Sequence, residues 1–166
     1  MAPAGMMAIA ADRPLEIFVD ADACPVKEEV YKVARRYRLP VRVVANSFMM
    51  VPLEPLIERV LVESGPDAAD DWIVQHCRPA DIVVTADILL AARCLKAGAK
   101  AIGPTGKPFN DASIGMAVAQ REIAEHLRST GEMTRGPKPF AAADRSRFLQ
   151  ALDQAVNHSL RQRRSP

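Results

Sequence analysis

Aromatic residues are scarce: they make up 5% of the chain, with a single tryptophan. That weakens any reading in which successive bases of a single strand stack on aromatic platforms. An excess of one charge is also missing, since 22 Lys and Arg face 20 Asp and Glu for a formal net charge of +2. A basic contact surface, if present, must be local. No apolar run approaches the length of a membrane span. Cysteine is limited to Cys24, Cys77 and Cys94, odd in number, without CxxC spacing and in apolar contexts. This excludes a disulfide framework and reads as reduced, mostly buried thiols of a cytoplasmic protein. Cys24 precedes a helix start that could activate a thiol, but Asp20 and Asp22 beside it oppose a thiolate. His76, His126 and His158 stand singly, without metal-ligand spacing. The polar loop 104–111 lacks the Gly-to-Gly-Lys interval of a phosphate-binding P-loop.

What the chain does have is 166 residues with 49% apolar content, enough for one domain with a full core. Residues 1–13 are Ala- and Met-rich without a basic n-region and are expected to be a disordered leader rather than a secretory signal. A single domain over 14–160 follows, then a basic tail over 161–166 with Arg161, Arg163 and Arg164. That tail reads as a solvated helix end complementing the dipole, or as a contact surface.

Short apolar runs alternate with amphipathic stretches. Strands are expected near 15–20, 41–45, 59–63, 81–85 and 99–103, and helices over 25–38, 111–129 and 142–160. Another helix carries Leu89, Leu90, Ala91, Cys94 and Leu95. Such alternation, closed by right-handed crossovers, predicts a three-layer α/β/α domain with a mostly parallel sheet of about five strands. The irregular loop 49–55, with Phe48, Met49 and Met50, serves as a lid or as packing.

Acidic residues recur at one edge of this sheet. The run Ile17-Phe18-Val19 ends in Asp20-Ala21-Asp22, before a helix opened by Pro25. The run Ile82-Val83-Val84-Thr85 ends in Ala86-Asp87, again before a helix. Between them, Asp67, Asp70 and Asp71 fall within five residues at a third helix start. Structural roles exist for several: Asp22 can cap the helix after it, and Asp67 with Asp70 fits a capping box. Carboxylates gathered this closely repel, and a divalent cation or a shared proton relieves that repulsion. The carboxyl edge is also where open α/β sheets place ligands. Asn46 and Ser47 after the second strand, and Lys107 in the loop after the fifth, fall on the same edge.

Four strings in order carry a resemblance to a known family. They are Phe18 to Val26 (FVDADACPV), Gly65 to Ile73 (GPDAADDWI), Val84 to Ala91 (VTADILLA) and Gly136 to Phe140 (GPKPF). Together they resemble the YaiI/YqxD family, uncharacterised proteins of bacteria, over nearly the whole chain from about residue 15. The acidic layout of that family in turn resembles the PIN-like and NYN nucleases, three-layer folds whose aspartates surround Mg²⁺ or Mn²⁺.

The resemblance implies metal-dependent phosphodiester hydrolysis, with RNA as substrate. Asp20, Asp71 and Asp87 would be catalytic, and Asp20, Asp22, Asp67, Asp70, Asp71 and Asp87 the set from which Mg or Mn takes its ligands. Asn46, Ser47, Thr85, Lys107 and Lys138 would contact substrate. Two other classes stay open. Asp20-x-Asp22 after an apolar strand also resembles haloacid-dehalogenase phosphatases, with Asp20 as nucleophile. A non-catalytic module that binds a metal or a nucleotide would need the same acidic pocket.

Overall fold

A computed structural model of the chain describes residues 14–22, 24–65, 67–129 and 140–164. The run Leu15 to Val19 is fully buried, and its alternate side chains enter two different cores. Ile17 and Val19 join one cluster, and Phe18 joins the other. A strand apolar on both faces needs cover on both, which is the condition for a parallel sheet between helical layers.

The strands are β1 (Ile17–Asp20), β2 (Val41–Ala45), β3 (Ile57–Leu61), β4 (Ile82–Val84) and β5 (Lys100–Ile102). All neighbours pair in parallel, in the order β3-β2-β1-β4-β5. The helices are α1 (Lys27–Tyr37), α2 (Ala68–His76), α3 (Ile88–Lys96), α4 (Asp111–Ser129) and α5 (Ala142–Arg164). Tyr31 and Val33 of α1 and Phe148, Leu152 and Val156 of α5 fill the first core. Ala69 and Ile73 of α2 with Leu90 and Cys94 of α3 fill the second. The expected three-layer α/β/α architecture is the one observed. Among the described residues no helix is long and apolar enough to cross a membrane.

Local departures have physical causes. The third strand runs over Ile57–Leu61, two residues earlier than its apolar pattern suggests. Parallel pairing with β2 sets its register, Val41 opposite Ile57 and Ala45 opposite Leu61. No helix links β2 to β3. The loop between them tucks Met49 and Val51 against the first core and leaves Phe48 and Met50 exposed, with the Arg59 guanidinium 4.2 Å over the Phe48 ring. Residues 161–164 continue α5, and Arg163 turns back to Asp81 at 3.1 Å. All three cysteines are buried and free, and Cys77 and Cys94 both pack in the second core, the Cys77 thiol donating to the Val74 carbonyl at 3.8 Å.

This topology positions the site. The chain runs β1, β2, β3 to one side, then crosses back so that β4 and β5 extend from the other side of β1. The reversal falls between β1 and β4, where the connections diverge, the position at which open sheets of this kind have their ligand crevice at the carboxyl ends.

Candidate functional site

Two strand ends meet in this crevice. Asp20 closes β1, and its Oδ2 accepts a 2.8 Å hydrogen bond from the Thr85 hydroxyl just beyond β4. Thr85 is 2% exposed, and its Oγ1 in turn accepts the Asp87 backbone N–H at 3.0 Å. One hydroxyl thus ties the end of β1 to the turn that opens α3. Asp87 caps that helix, its Oδ1 accepting from the N–H groups of Leu89 at 2.9 Å and Leu90 at 3.4 Å. The cap is possible because Asp87 holds an extended backbone, with φ −85° and ψ 113°.

The third segment behaves differently. Asp67 stands at the cap position of α2, yet its side chain makes no capping hydrogen bond. Its backbone, with φ −120° and ψ 8°, lacks the extended turn that would aim the carboxylate at the helix amides. The capping box expected of Asp67 and Asp70 is therefore absent. Asp71 forms a 2.9 Å ion pair with Arg93 of α3, holding the two helices together. Asp70 is the residue of this trio that faces the strand ends. Burial, then Asp87, Asp20 and Asp67 in that order, push its pKa from 3.8 up to about 6. Burial also raises the pKa of Asp20, with Asp22 and Asp87 adding to it and the Thr85 hydrogen bond opposing it.

The structure thus brings Asp20, Asp70 and Asp87 into one electrostatic neighbourhood, with Asp22 and Asp67 at its margin. Asp22 sits exposed in the turn after β1, and the helix that follows has no side-chain cap. Asn46 and Ser47 are exposed in a bend after β2, next to β1 on the same edge. Thr85, expected to contact substrate, is occupied internally by Asp20 and Asp87. Lys107 lies in the loop after β5 and faces the start of α5, where it acts on Asp144. Lys138 lies outside the described residues.

Pattern reading missed Arg93, which removes Asp71 from the cluster. Its spacing from Asp71 carries no signal, because the two residues are on different helices. Among the described residues, no three His, Cys, Asp or Glu side chains form a ready cage for a metal ion.

Residues 18–158 match the model of a family described as "Uncharacterized BCR, YaiI/YqxD family". Among similar proteins, a UPF0178 protein of Rhodopseudomonas palustris strain CGA009 is 60% identical over 155 residues, 93% of this chain and 98% of that protein. A UPF0178 protein of Bradyrhizobium diazoefficiens is 57% identical over 152 residues, 92% of this chain and 91% of its own. One from Caulobacter vibrioides strain NA1000 is 59% identical over 140 residues, 84% of this chain and 92% of its own. No solved structure matches the chain.

Proposed function

The chain belongs to the YaiI/YqxD family, whose description carries no activity, and we propose, from the site's carboxylate chemistry together with its resemblance to PIN-like nucleases, that the protein is a metal-dependent phosphodiesterase acting on RNA. The observation that carries this reading is the state of Asp70: partly buried, without a hydrogen bond or ion pair among the described residues, and raised to about 6 by that burial and by three other carboxylates, with Arg93 opposing. A fold gains nothing from that arrangement unless a cation answers it.

The donor set fits Mg²⁺ or Mn²⁺. It is all carboxylate oxygen, without the thiolate or imidazole that zinc favours. Mg²⁺ keeps several waters and is commonly held by one or two carboxylates together with substrate phosphate, so a closed protein cage is not required. Asp20 and Asp70 would hold the ion, with the second oxygen of Asp87 beside them. When bound, such an ion lowers the pKa of a coordinated water and offsets charge on the leaving oxygen.

The remaining work falls to the chain's own residues. Thr85 holds Asp20 in one orientation and fixes the Asp87 turn against it. The Arg93 pair keeps Asp71 out of the pocket, so that Asp70 alone enters from α2. Asp22 and Asp67 stand where they attract the cation to the edge. Asn46 and Ser47, on the neighbouring strand end, are placed to hydrogen-bond a phosphate or its water. On this reading the site is a PIN-like one, in which Asp70 rather than Asp71 is the ligand from α2.

The test is cleavage of an end-labelled RNA by the full chain with Mg²⁺, Mn²⁺ or EDTA, alongside thermal unfolding in the same buffers. Wild type should cut only with metal and melt higher when metal is added. Asp20→Asn and Asp70→Asn should lose both effects, whereas Asp71→Asn should keep them. Equal metal-induced shifts in wild type and both inactive variants would show that these aspartates hold no ion. Stable RNA binding without turnover would assign the site to a binding module, and beryllofluoride captured at Asp20 would assign it to a phosphatase.

A further inference from the structure

At the carboxyl end of β5, the loop that follows folds onto the start of α5 and leaves a cavity of about 650 Å³. Small-molecule sites run roughly 300–1,000 Å³, so the space suits a ligand of nucleotide size. Its polar groups are Thr105 and Lys107 from the loop and Arg147, Gln150 and Gln154 from α5, and Phe140, over which the Arg145 guanidinium lies at 5.0 Å, supplies an aromatic wall. Gln150 and Gln154 are spaced i, i+4 and so project from the same face of the helix. Asp144 lines the cavity too, but it is already answered by the Ala141 N–H at 2.9 Å and by Arg147. Two cations against one carboxylate leave the wall positive.

The cavity is tied to the fold on both sides. Gly106 has φ +90°, and a Cβ there would lie 2.8 Å from the backbone carbon and oxygen of Arg147. Only glycine lets the turn approach the helix this closely. At the other end of the loop, the Gly103 N–H donates to the Lys107 carbonyl at 2.9 Å. The Thr85 N–H donates to the carbonyl of Ile102, the preceding residue, at 3.1 Å. The residue that orients Asp20 is thereby joined through β5 to the loop that carries Lys107.

We propose that this cavity binds a single phosphorylated nucleoside, its base on Phe140, its base edge on Gln150 and Gln154, and its phosphate on Lys107 and Arg147. Any base offers a ring face to an aromatic side chain. Each glutamine amide supplies both a donor and an acceptor, which suits the mixed edge of a base. The guanidinium and ammonium suit phosphate oxygens. A simple carboxylate would use the cations and leave the ring and the amides idle. A second cavity of about 460 Å³ shares Gly106, Ala151 and Gln154 with the first, giving room for a neighbouring nucleotide. The site deepens the phosphodiesterase reading, and rests on it, in seating the nucleotide that flanks the bond to be cut. Its ligand is either a free nucleotide or one unit of a strand.

Calorimetric titration of the full chain in EDTA, with the four ribonucleoside 5′-monophosphates and with a short RNA oligomer, tests the site apart from the metal. Saturable binding is expected, weakened at least about tenfold in the Lys107→Ala/Arg147→Ala double variant, the scale of a lost charge-assisted contact. Phe140→Ala should weaken all bases alike, and Gln150→Ala/Gln154→Ala should flatten the preference among them. An oligomer that binds more tightly than the monophosphates assigns a strand, and equal affinities assign a free nucleotide. Absence of saturable binding overturns the site, as does binding unchanged in a double variant that melts like wild type. Metal-dependent cleavage without such binding would remove this site and leave the phosphodiesterase standing. Nucleotide binding without cleavage would do the reverse.

Discussion

At the amino end of the sheet, Asp81 is 1% exposed and accepts hydrogen bonds from the Glu16 N–H at 3.0 Å, the Arg78 N–H at 2.9 Å and Arg163 at 3.1 Å. At the carboxyl end of the same sheet, Asp70 has no hydrogen-bond donor among the described residues, and Asp20 has the Thr85 hydroxyl. Burial raises the pKa of all three. The difference lies in the donors. Where a carboxylate serves the fold, backbone amides and a guanidinium complete its bonding, and Glu16 beside it finds Arg42 at 3.5 Å. Where carboxylates face one another instead, the fold bears their repulsion. Acids whose pKa burial shifts in the same direction can thus be separated into structural and functional sets by counting what donates to them.

The sharpest way to break this comparison is to remove the structural acid. Asp81→Ala takes the acceptor from the Glu16 and Arg78 N–H groups, while Arg163 keeps the Pro79 carbonyl at 3.2 Å, so urea unfolding should show a loss of about 1–3 kcal/mol for each unanswered N–H group. A loss no larger than that of Asp20→Ala would erase the distinction between the two ends. A second, smaller effect separates the two acidic helix starts. Asp87→Ala removes a formed cap and should cost about 0.5–2 kcal/mol, whereas Asp67→Ala removes none and should leave the midpoint where it was. Asp87→Asn keeps the acceptor and should stay near wild type while losing charge from the pocket.

The smallest effect is a pH dependence at Asp70. Its folded-state pKa of about 6 lies above the ordinary 3.8, so the folded chain binds this proton more tightly than the unfolded one. Its contribution to stability therefore falls as pH rises between those two values and stays at its lower level above them. Without metal, Asp70→Asn should melt above wild type at neutral pH, and the gap should close on acidification below about pH 4, the ordinary range of an aspartate. A gap that widens on acidification would mean that Asp70 has a partner in the fold.

Much of the scaffold was legible in local pattern. Val41 to Ala45 read as a strand because a β-branched run follows a helix stopped by Pro40, and the strand has those bounds. The third strand was misplaced because its apolar residues extend toward Val62, while its partners were set by β2. In the candidate site, Asp20 and Asp87 were legible as ends of buried runs. Asp70 and Asp71 were not separable. Adjacent residues on a helix point about 100° apart, and which of them faces the sheet depends on how the helix is rotated in the packed structure. Asp67 looked like a cap by residue type alone, but capping also requires a backbone angle that residue type does not dictate.

The sequence by itself determined the fold class and the presence of carboxylates at strand ends. Buried runs and amphipathic stretches are local properties, and an apolar run that stops at an aspartate can place that aspartate only at the end of a strand. Strand order was decided in three dimensions. Setting β4 beside β1 pairs residues more than 60 positions apart, Ile17 with Ile82 and Val19 with Val84. That pairing brings the Thr85 hydroxyl to Asp20. Packing of α2 against Phe18 and Val44 through Ala69 and Ile73 then turned Asp70 inward and left Asp71 to Arg93. Neither choice is written in a local pattern, because each depends on surfaces that exist only once the sheet and its covering helices have come together.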